Sequence, residues 1–134
     1  MIKKILKKLF RKKIVRNFKK YLSLEKGRAL VYYKTDYFLL NGILEDRSHT
    51  NEWESYEIAR VLNSLGFIVD VIDRTATLED VTKIKDVYDV FVGIGAGDSG
   101  KYYKDIAMRV KSATRIIYAL GPEPDLSNLI TKKR

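Results

Sequence analysis

Two polar clusters in the sequence have residue types that could bind a ligand or move a proton. The first is His49-Thr50-Asn51, which comes directly before a helical pattern. Backbone N–H groups at a helix N-terminus favour anions and hydroxyls, and a neutral histidine there can act as a base or a hydrogen-bond donor. From the residues alone, Thr50 or Asn51 simply caps the helix and His49 is an exposed loop residue. Both interpretations stay open at this point.

The second cluster is the segment from Gly95 to Gly100, which reads Gly-Ala-Gly-Asp-Ser-Gly between a predicted strand and a predicted helix. It has the G-x-G-x-x-G form of a dinucleotide-binding loop. That loop belongs after the first strand of such a fold, whereas this segment follows the third predicted strand. Glycine also permits a sharp turn with no ligand involved. Asp73, at the end of the second predicted strand, could meet a ribose or cap the next turn.

Other chemistries are excluded by composition. The chain has no cysteine, which rules out a disulfide framework, a thiol nucleophile and a cysteine-ligated metal. The single histidine and the scattered acids give no metal-ligand spacing, so no metal site is predicted.

Alternating apolar runs and helical patterns indicate the elements that position these clusters. Strands are predicted at residues 29–33, 67–73, 87–94 and 114–120. Strands that alternate with helices form a parallel sheet covered on both faces. The prediction is therefore an α/β fold with a three-layer, Rossmann-like sheet of about four strands, in the order 2-1-3-4 or 3-2-1-4. We favour 2-1-3-4, because it brings both polar clusters to one crevice at the switch point of the sheet.

The N-terminal segment carries the excess positive charge of the chain. Residues 1–22 contain ten Lys or Arg and no acid, and the rest of the chain holds 16 basic and 17 acidic residues. Apolar residues recur there at helical spacing, which predicts a basic amphipathic helix, assigned to residues 1–24. Such a helix suits an anionic membrane surface. The predicted membrane contacts are Lys3, Lys4, Lys7, Lys8, Phe10, Arg11, Lys12 and Phe18.

The segment has two other interpretations besides membrane contact. In the first, the apolar stripe packs on the domain and the lysines are only solvated. The second is nucleic-acid binding, which we do not predict, because no aromatic stacking platform accompanies the cations. The apolar runs are also too short to span a membrane.

Three segments together resemble a known family. These are SHTNEWESYEIARVLNSLGFIVDVID, YDVFVGIGAG and RIIYALGPEPDLSN. They are similar to the N-terminal half of bacterial and archaeal GT-B glycosyltransferases of the group-1/family-4 kind, over about residues 28–134. In that fold one Rossmann-like domain receives the acceptor and a second one binds the nucleotide-sugar. The resemblance implies that residues 25–134 are an incomplete acceptor-side domain.

The resemblance implies the acceptor-binding half of an enzyme that moves a sugar from a nucleotide-sugar to a polysaccharide or lipid-linked acceptor. His49 is the catalytic candidate. The chain alone lacks the donor domain and is expected to be inactive, with no cofactor of its own and the nucleotide-sugar held on another domain or a separate donor-domain chain. The acceptor-binding candidates are Thr50, Asn51, Gly95, Gly97, Asp98 and Ser99.

The resemblance and the basic N-terminal segment together predict a cytoplasmic protein that is peripheral to the inner face of the plasma membrane. Two other classes remain open: a non-catalytic membrane-peripheral binding module, and a generic nucleotide-binding Rossmann domain.

Overall fold

The computed structural model describes residues 12–39, 50–94 and 102–118. These ranges form an α/β fold of strands and short helices around one sheet. The strands are β1 (Ile14–Phe18), β2 (Gly27–Tyr33), β3 (Phe67–Asp73), β4 (Val87–Ile94) and β5 (Lys111–Tyr118). The helices are α1 (Asp36–Leu39), α2 (Thr50–Ser64), α3 (Leu78–Thr82) and α4 (Tyr103–Arg109).

The sheet has five strands in the order β1-β3-β2-β4-β5. Strands β3, β2, β4 and β5 are parallel to one another, and β1 is antiparallel to β3. The four parallel strands therefore follow the predicted order 2-1-3-4, and the alternative order 3-2-1-4 is wrong. The chain moves from β2 to β3 on one side and then crosses back to β4 on the other side, which makes β2 and β4 neighbours.

Both faces of the sheet are covered, as the three-layer prediction requires. On one face, Ala59 and Leu62 of α2 pack on Val31, Val71 and their neighbours, with Phe38 of α1 beside them. A second cluster covers the opposite face. It joins Leu30 and Phe91 of the sheet to Val81 of α3 and to Ile106 of α4, with Ile84 and Val110 just beyond those helices. Strands buried on both faces read as continuous apolar runs, which is why the sequence identified them.

The helix predicted for residues 1–24 is wrong at residues 14–18, which form β1. Residues 1–11 lie outside the described part of the chain. β1 pairs with β3 at Ile14↔Ile72, Val15↔Val71 and Phe18↔Val69, with a bulge before Phe18. Two adjacent β-branched residues, Ile14 and Val15, suit a strand. The unpaired edge of β3 offers backbone hydrogen bonds, which here outweigh a helical periodicity that is only a local preference.

The connection from α2 to β3 is a short turn at Gly66. Gly66 has φ 101°, a backbone conformation that glycine adopts with no Cβ penalty. Its N–H bonds to the carbonyl of Asn63, and its own carbonyl accepts from the N–H of Lys26. The buried Asn63 amide donates to the carbonyls of Phe18 and Phe67. One turn thus fixes the end of α2, the start of β3 and the end of β1.

Candidate functional site

The carboxyl ends of β2 and β4 frame the predicted crevice. The two strands are direct neighbours, with Tyr32 opposite Gly93 in the register. β3 lies on the outer side of β2, and β5 lies on the outer side of β4. The chain therefore leaves β2 and β4 in opposite directions, and this divergence creates the crevice where ligands bind in open α/β sheets. We call this end of the sheet the carboxyl edge.

Few of the predicted site residues lie within the described structure. Thr50 and Asn51 are the first two residues of α2, so they begin the helix that follows β2. Their side chains are outside what the structure describes. His49 and the predicted loop residues after β4 also fall outside the described ranges; the latter are Gly95, Gly97, Asp98 and Ser99. The roles predicted for all of these residues therefore stay predictions.

Asp73 organises the carboxyl edge from the end of β3. Its side chain is fully buried. One carboxylate oxygen accepts from the amide (3.1 Å) and the hydroxyl (3.0 Å) of Thr35. The other oxygen accepts from the amide (2.8 Å) and the hydroxyl (2.6 Å) of Thr75. Both oxygens are engaged in this way, so Asp73 caps the turn after β3. This was one of its two predicted roles. The geometry gives no support to the other, which was contact with a ribose.

Hydrogen bonds to Asp73 and Thr35 also fix the start of the described chain. The amide of Asp73 donates to the carbonyl of Lys13 at 2.8 Å. The hydroxyl of Thr35 also lies 2.5 Å from the carbonyl oxygen of Lys12. Because Asp73 and Thr35 follow β3 and β2, residues 12 and 13 are fixed at the carboxyl edge. Lys12, one of the predicted membrane contacts, is exposed there.

Glu54 is a candidate ligand contact that the sequence did not single out. It lies in the first turns of α2, beside Ser55, whose hydroxyl accepts from the amide of Lys34 at 3.2 Å. The Oε2 atom of Glu54 is buried and has no hydrogen-bond partner among the described residues. A buried carboxylate oxygen without a donor is costly, and such atoms in folded proteins call for an explanation. Burial raises the pKa of Tyr33, and the nearby Glu54 carboxylate raises it further, while Arg74 opposes the shift.

Aromatic rings form the other described side of the carboxyl edge. The amide of Tyr102 donates to the hydroxyl of Tyr32 at 3.4 Å. The ring of Tyr103 occupies the space where a Cβ on Gly93 would stand. Its centroid lies 5.8 Å from that of Phe91. Glycine at position 93 therefore allows the start of α4 to pack closely against the end of β4. The sequence pattern did not indicate this close approach.

A separate groove lies along β1, on the face of the sheet that α2 covers. Its volume is about 540 Å³. Its lining comes from β1, the turn after it, α1 and α2, and comprises Val15, Arg16, Asn17, Phe18, Lys19, Lys20, Phe38 and Tyr56. Phe18 was predicted to face a membrane from a helix. The structure instead places it at the end of a strand, partly buried against the core cluster under α2.

A buried polar network lies on the opposite face of β3. The Asp70 carboxylate forms an ion pair with Arg28 at 3.0 Å. It also accepts from the amide of Asn17 and the hydroxyl of Tyr88, each at 2.8 Å. Burial raises the pKa of the Tyr88 phenol, and the Asp70 charge adds to the increase. The network joins β1, β2, β3 and β4, so its role is to hold the sheet together.

Searches against known protein families, curated proteins and solved structures found no match to this sequence. Within the described ranges, no helix is long and apolar enough to cross a membrane. No cluster of three or more potential metal-ligating side chains occurs among the same residues. The class of protein that the geometry supports is thus an α/β domain with a five-stranded, mostly parallel sheet, in which the strand order reverses between β2 and β4.

Proposed function

We propose that this chain is the acceptor-binding half of a glycosyltransferase. The observation that carries the proposal is the order of the parallel strands, since it places the start of α2 beside the crevice between β2 and β4. The unpartnered carboxylate oxygen of Glu54 adds a hydrogen-bond acceptor at the same place. A sugar acceptor presents hydroxyl groups, which are the donors that such a carboxylate requires.

The proposed roles follow from position in the chain. Thr50 and Asn51 offer their hydroxyl and amide groups to the acceptor at the first turn of α2, and His49 acts as the base. Gly95, Gly97, Asp98 and Ser99 form the opposite wall after β4. The nucleotide-sugar binds a second Rossmann-like domain. Because group transfer requires both substrates to be held together, transfer needs both domains, and residues 25–134 contribute the acceptor side.

The proposed location is the cytoplasmic face of the plasma membrane. The cations of residues 1–22, with no acid among them, support contact with an anionic lipid surface, since each Lys or Arg near such a surface contributes about 1 kcal/mol. A lipid-linked acceptor would then be presented where the domain is held.

The proposal is tested by titrating the isotope-labelled chain with soluble alkyl glycosides below their micelle concentration, followed by amide NMR. We expect saturable shifts at residues 33–35, 50–55 and 102–103, and no saturable binding of UDP-glucose or GDP-mannose. Glu54→Gln should weaken glycoside binding about tenfold, because it removes a charged hydrogen-bond acceptor. Glu57→Gln is the matched control, because Glu57 lies on the same helix but pairs with the exposed Arg60.

Three results would contradict the proposal. Equal weakening by both glutamine variants, or shifts scattered away from the carboxyl edge, would remove the crevice as the acceptor site. Saturable nucleotide binding that perturbs the loop after β4, and is lost in Gly97→Val, would favour a nucleotide-binding domain instead.

A further inference from the structure

The floor of the groove along β1 consists of aromatic rings. The ring of Phe18 lies 5.2 Å from that of Phe38 and 5.3 Å from that of Tyr56, measured between centroids. Phe38 and Tyr56 are 5.2 Å apart in the same way. The hydroxyl of Tyr56 is held by the hydroxyl of Tyr21 at 3.0 Å. The three rings thus form a fixed apolar surface, and Phe18 and Phe38 remain partly accessible.

The rim of the groove is positively charged. Lys19 and Lys20 are both exposed there, and none of the eight lining residues is acidic. Lys20 also lies over the ring of Tyr21, with its Nζ atom 5.5 Å from the centroid. Arg16 does not add to this rim, because its guanidinium donates to the carbonyl of Lys83, just after α3 on the opposite face of the sheet.

Lysines beside an edge strand also have a simpler use, which is to prevent pairing with another chain. That use explains Lys19 and Lys20, which follow β1. It does not explain a groove of about 540 Å³ whose lining combines these lysines with three aromatic rings, because discouraging edge pairing requires no opening. The volume lies within the range of about 300–1,000 Å³ that is typical of small-molecule sites.

We propose that the groove binds one molecule of an anionic phospholipid. The aromatic floor contacts the glycerol backbone and the first methylenes of the acyl chains, and Lys19 and Lys20 bind the phosphate. Charge complementarity selects an anionic ligand over a zwitterionic one, and the apolar floor selects a lipid over a free phosphate. The inference goes beyond the proposed function, because it requires neither sugar transfer nor retention of the chain on a bilayer.

The experiment uses monomeric short-chain lipids with the full chain, so that binding at the groove is separated from adsorption to a bilayer. The three probes are dihexanoyl phosphatidylglycerol, dihexanoyl phosphatidylcholine and glycerol phosphate, each measured by calorimetry and amide NMR. We expect saturable one-to-one binding of the phosphatidylglycerol, with shifts at residues 15–20. Phosphatidylcholine and glycerol phosphate should each bind at least about tenfold more weakly.

Charge reversal at the rim provides the decisive variant. Lys19→Glu with Lys20→Glu should weaken binding of the anionic lipid by at least about thirtyfold, because two surface cations are lost. Lys85→Glu with Lys104→Glu is the matched control. Both lysines are exposed and lie outside the groove, and this variant has the same net charge as the Lys19/Lys20 double variant. An equal loss in both double variants would overturn the groove as the site, as would equal affinity for the two lipids. Glycerol phosphate that binds as tightly as the anionic lipid would also overturn it.

Vesicles of phosphatidylglycerol distinguish this inference from the proposed function. If the chain sediments with vesicles but shows no groove binding of the monomeric lipid, the groove inference fails and membrane contact stands. If the monomeric lipid binds in the groove and vesicles do not retain the chain, the groove stands and the membrane part of the proposed function fails.

Discussion

The two edge strands of the sheet, β1 and β5, differ in their contacts and in their exposure. β1 is added antiparallel to β3, and polar side chains hold it there: Asp70 accepts from the amide of Asn17, and Asn63 donates to the carbonyl of Phe18. β5 is parallel to β4 and ends the sheet on the other side. Its described side chains from Thr114 to Tyr118 are all exposed, including Ile117 at 68%.

The difference shows that edge position alone does not decide how a strand is protected. β1 contains Arg16, is flanked by Lys13 and Lys19 and has a bulge, and both charge and a bulge discourage pairing with another chain. On β5, Ile116 and Ile117 point to opposite faces of the sheet, because side chains alternate along a strand, and both are exposed. Among the described residues, nothing pairs with the outer side of β5. Both strands are therefore edges of the described sheet, but β1 has devices that discourage pairing, whereas the described side chains of β5 include exposed apolar ones.

Replacing Asp70 tests the network that holds the β1 edge, and it carries the largest expected effect. Asp70→Asn removes the negative charge from the buried ion pair with Arg28, and loss of one partner from such a pair costs about 3 kcal/mol of unfolding free energy. Urea denaturation measures the change. The double variant Asp70→Asn with Arg28→Met should recover part of the loss, because it leaves no uncompensated charge. A double variant as unstable as the sum of the single ones would contradict this account.

A smaller effect is expected at Asn17, the residue that turns the chain within β1. It has φ 55°, and a left-handed conformation costs most side chains about 1–2 kcal/mol. Asn17→Ala should therefore lower the unfolding free energy by about 1–2 kcal/mol. Asn17→Gly keeps the conformation and loses only the hydrogen bond from Arg28 to Asn17 Oδ1. Equal losses in the alanine and glycine variants would show that backbone conformation is not what Asn17 provides.

The smallest effect on stability is expected at the β5 edge. Ile117→Lys should change the unfolding free energy by less than about 0.5 kcal/mol, since the side chain is exposed. It should nevertheless reduce self-association in sedimentation velocity, because charge on an edge strand discourages pairing. Val87→Lys is the control, as Val87 is 60% exposed but begins the interior strand β4. A stability loss above about 2 kcal/mol would mean that Ile117 is covered in solution.

The sequence predicted the central part of the fold because several local signals agree there. An apolar stripe, Gly66 and a continuous apolar run specify α2, the turn and β3 together. The sequence did not predict β1, because residues 14–18 belong to a stretch whose apolar residues recur at helical spacing. These residues form a strand because they pair with the free edge of β3. That information is tertiary, so no window of local sequence contains it.

The candidate site was less predictable than the fold. The predicted residues lie at the first turn of α2 or in segments outside the described ranges, so their roles rest on the resemblance. Glu54 lies near the start of a helix, where acidic residues are common, and only the burial of its Oε2 atom marks it as unusual. The Asp70 network had a sequence signal, because a charge in the middle of an apolar strand needs a partner. The identity of that partner, Arg28, required the register of β2 and β3.

The direction of β1 determines where the N-terminal segment leaves the domain. Residues 12 and 13 are bonded to Thr35 and Asp73 at the carboxyl edge, so residues 1–11 start at the same end of the molecule as the crevice. Eleven residues reach at most about 40 Å when extended. In the helical form predicted for them, they reach about 17 Å. The proposed membrane contact would therefore lie within that distance of the carboxyl edge, and the antiparallel direction of β1 is the reason.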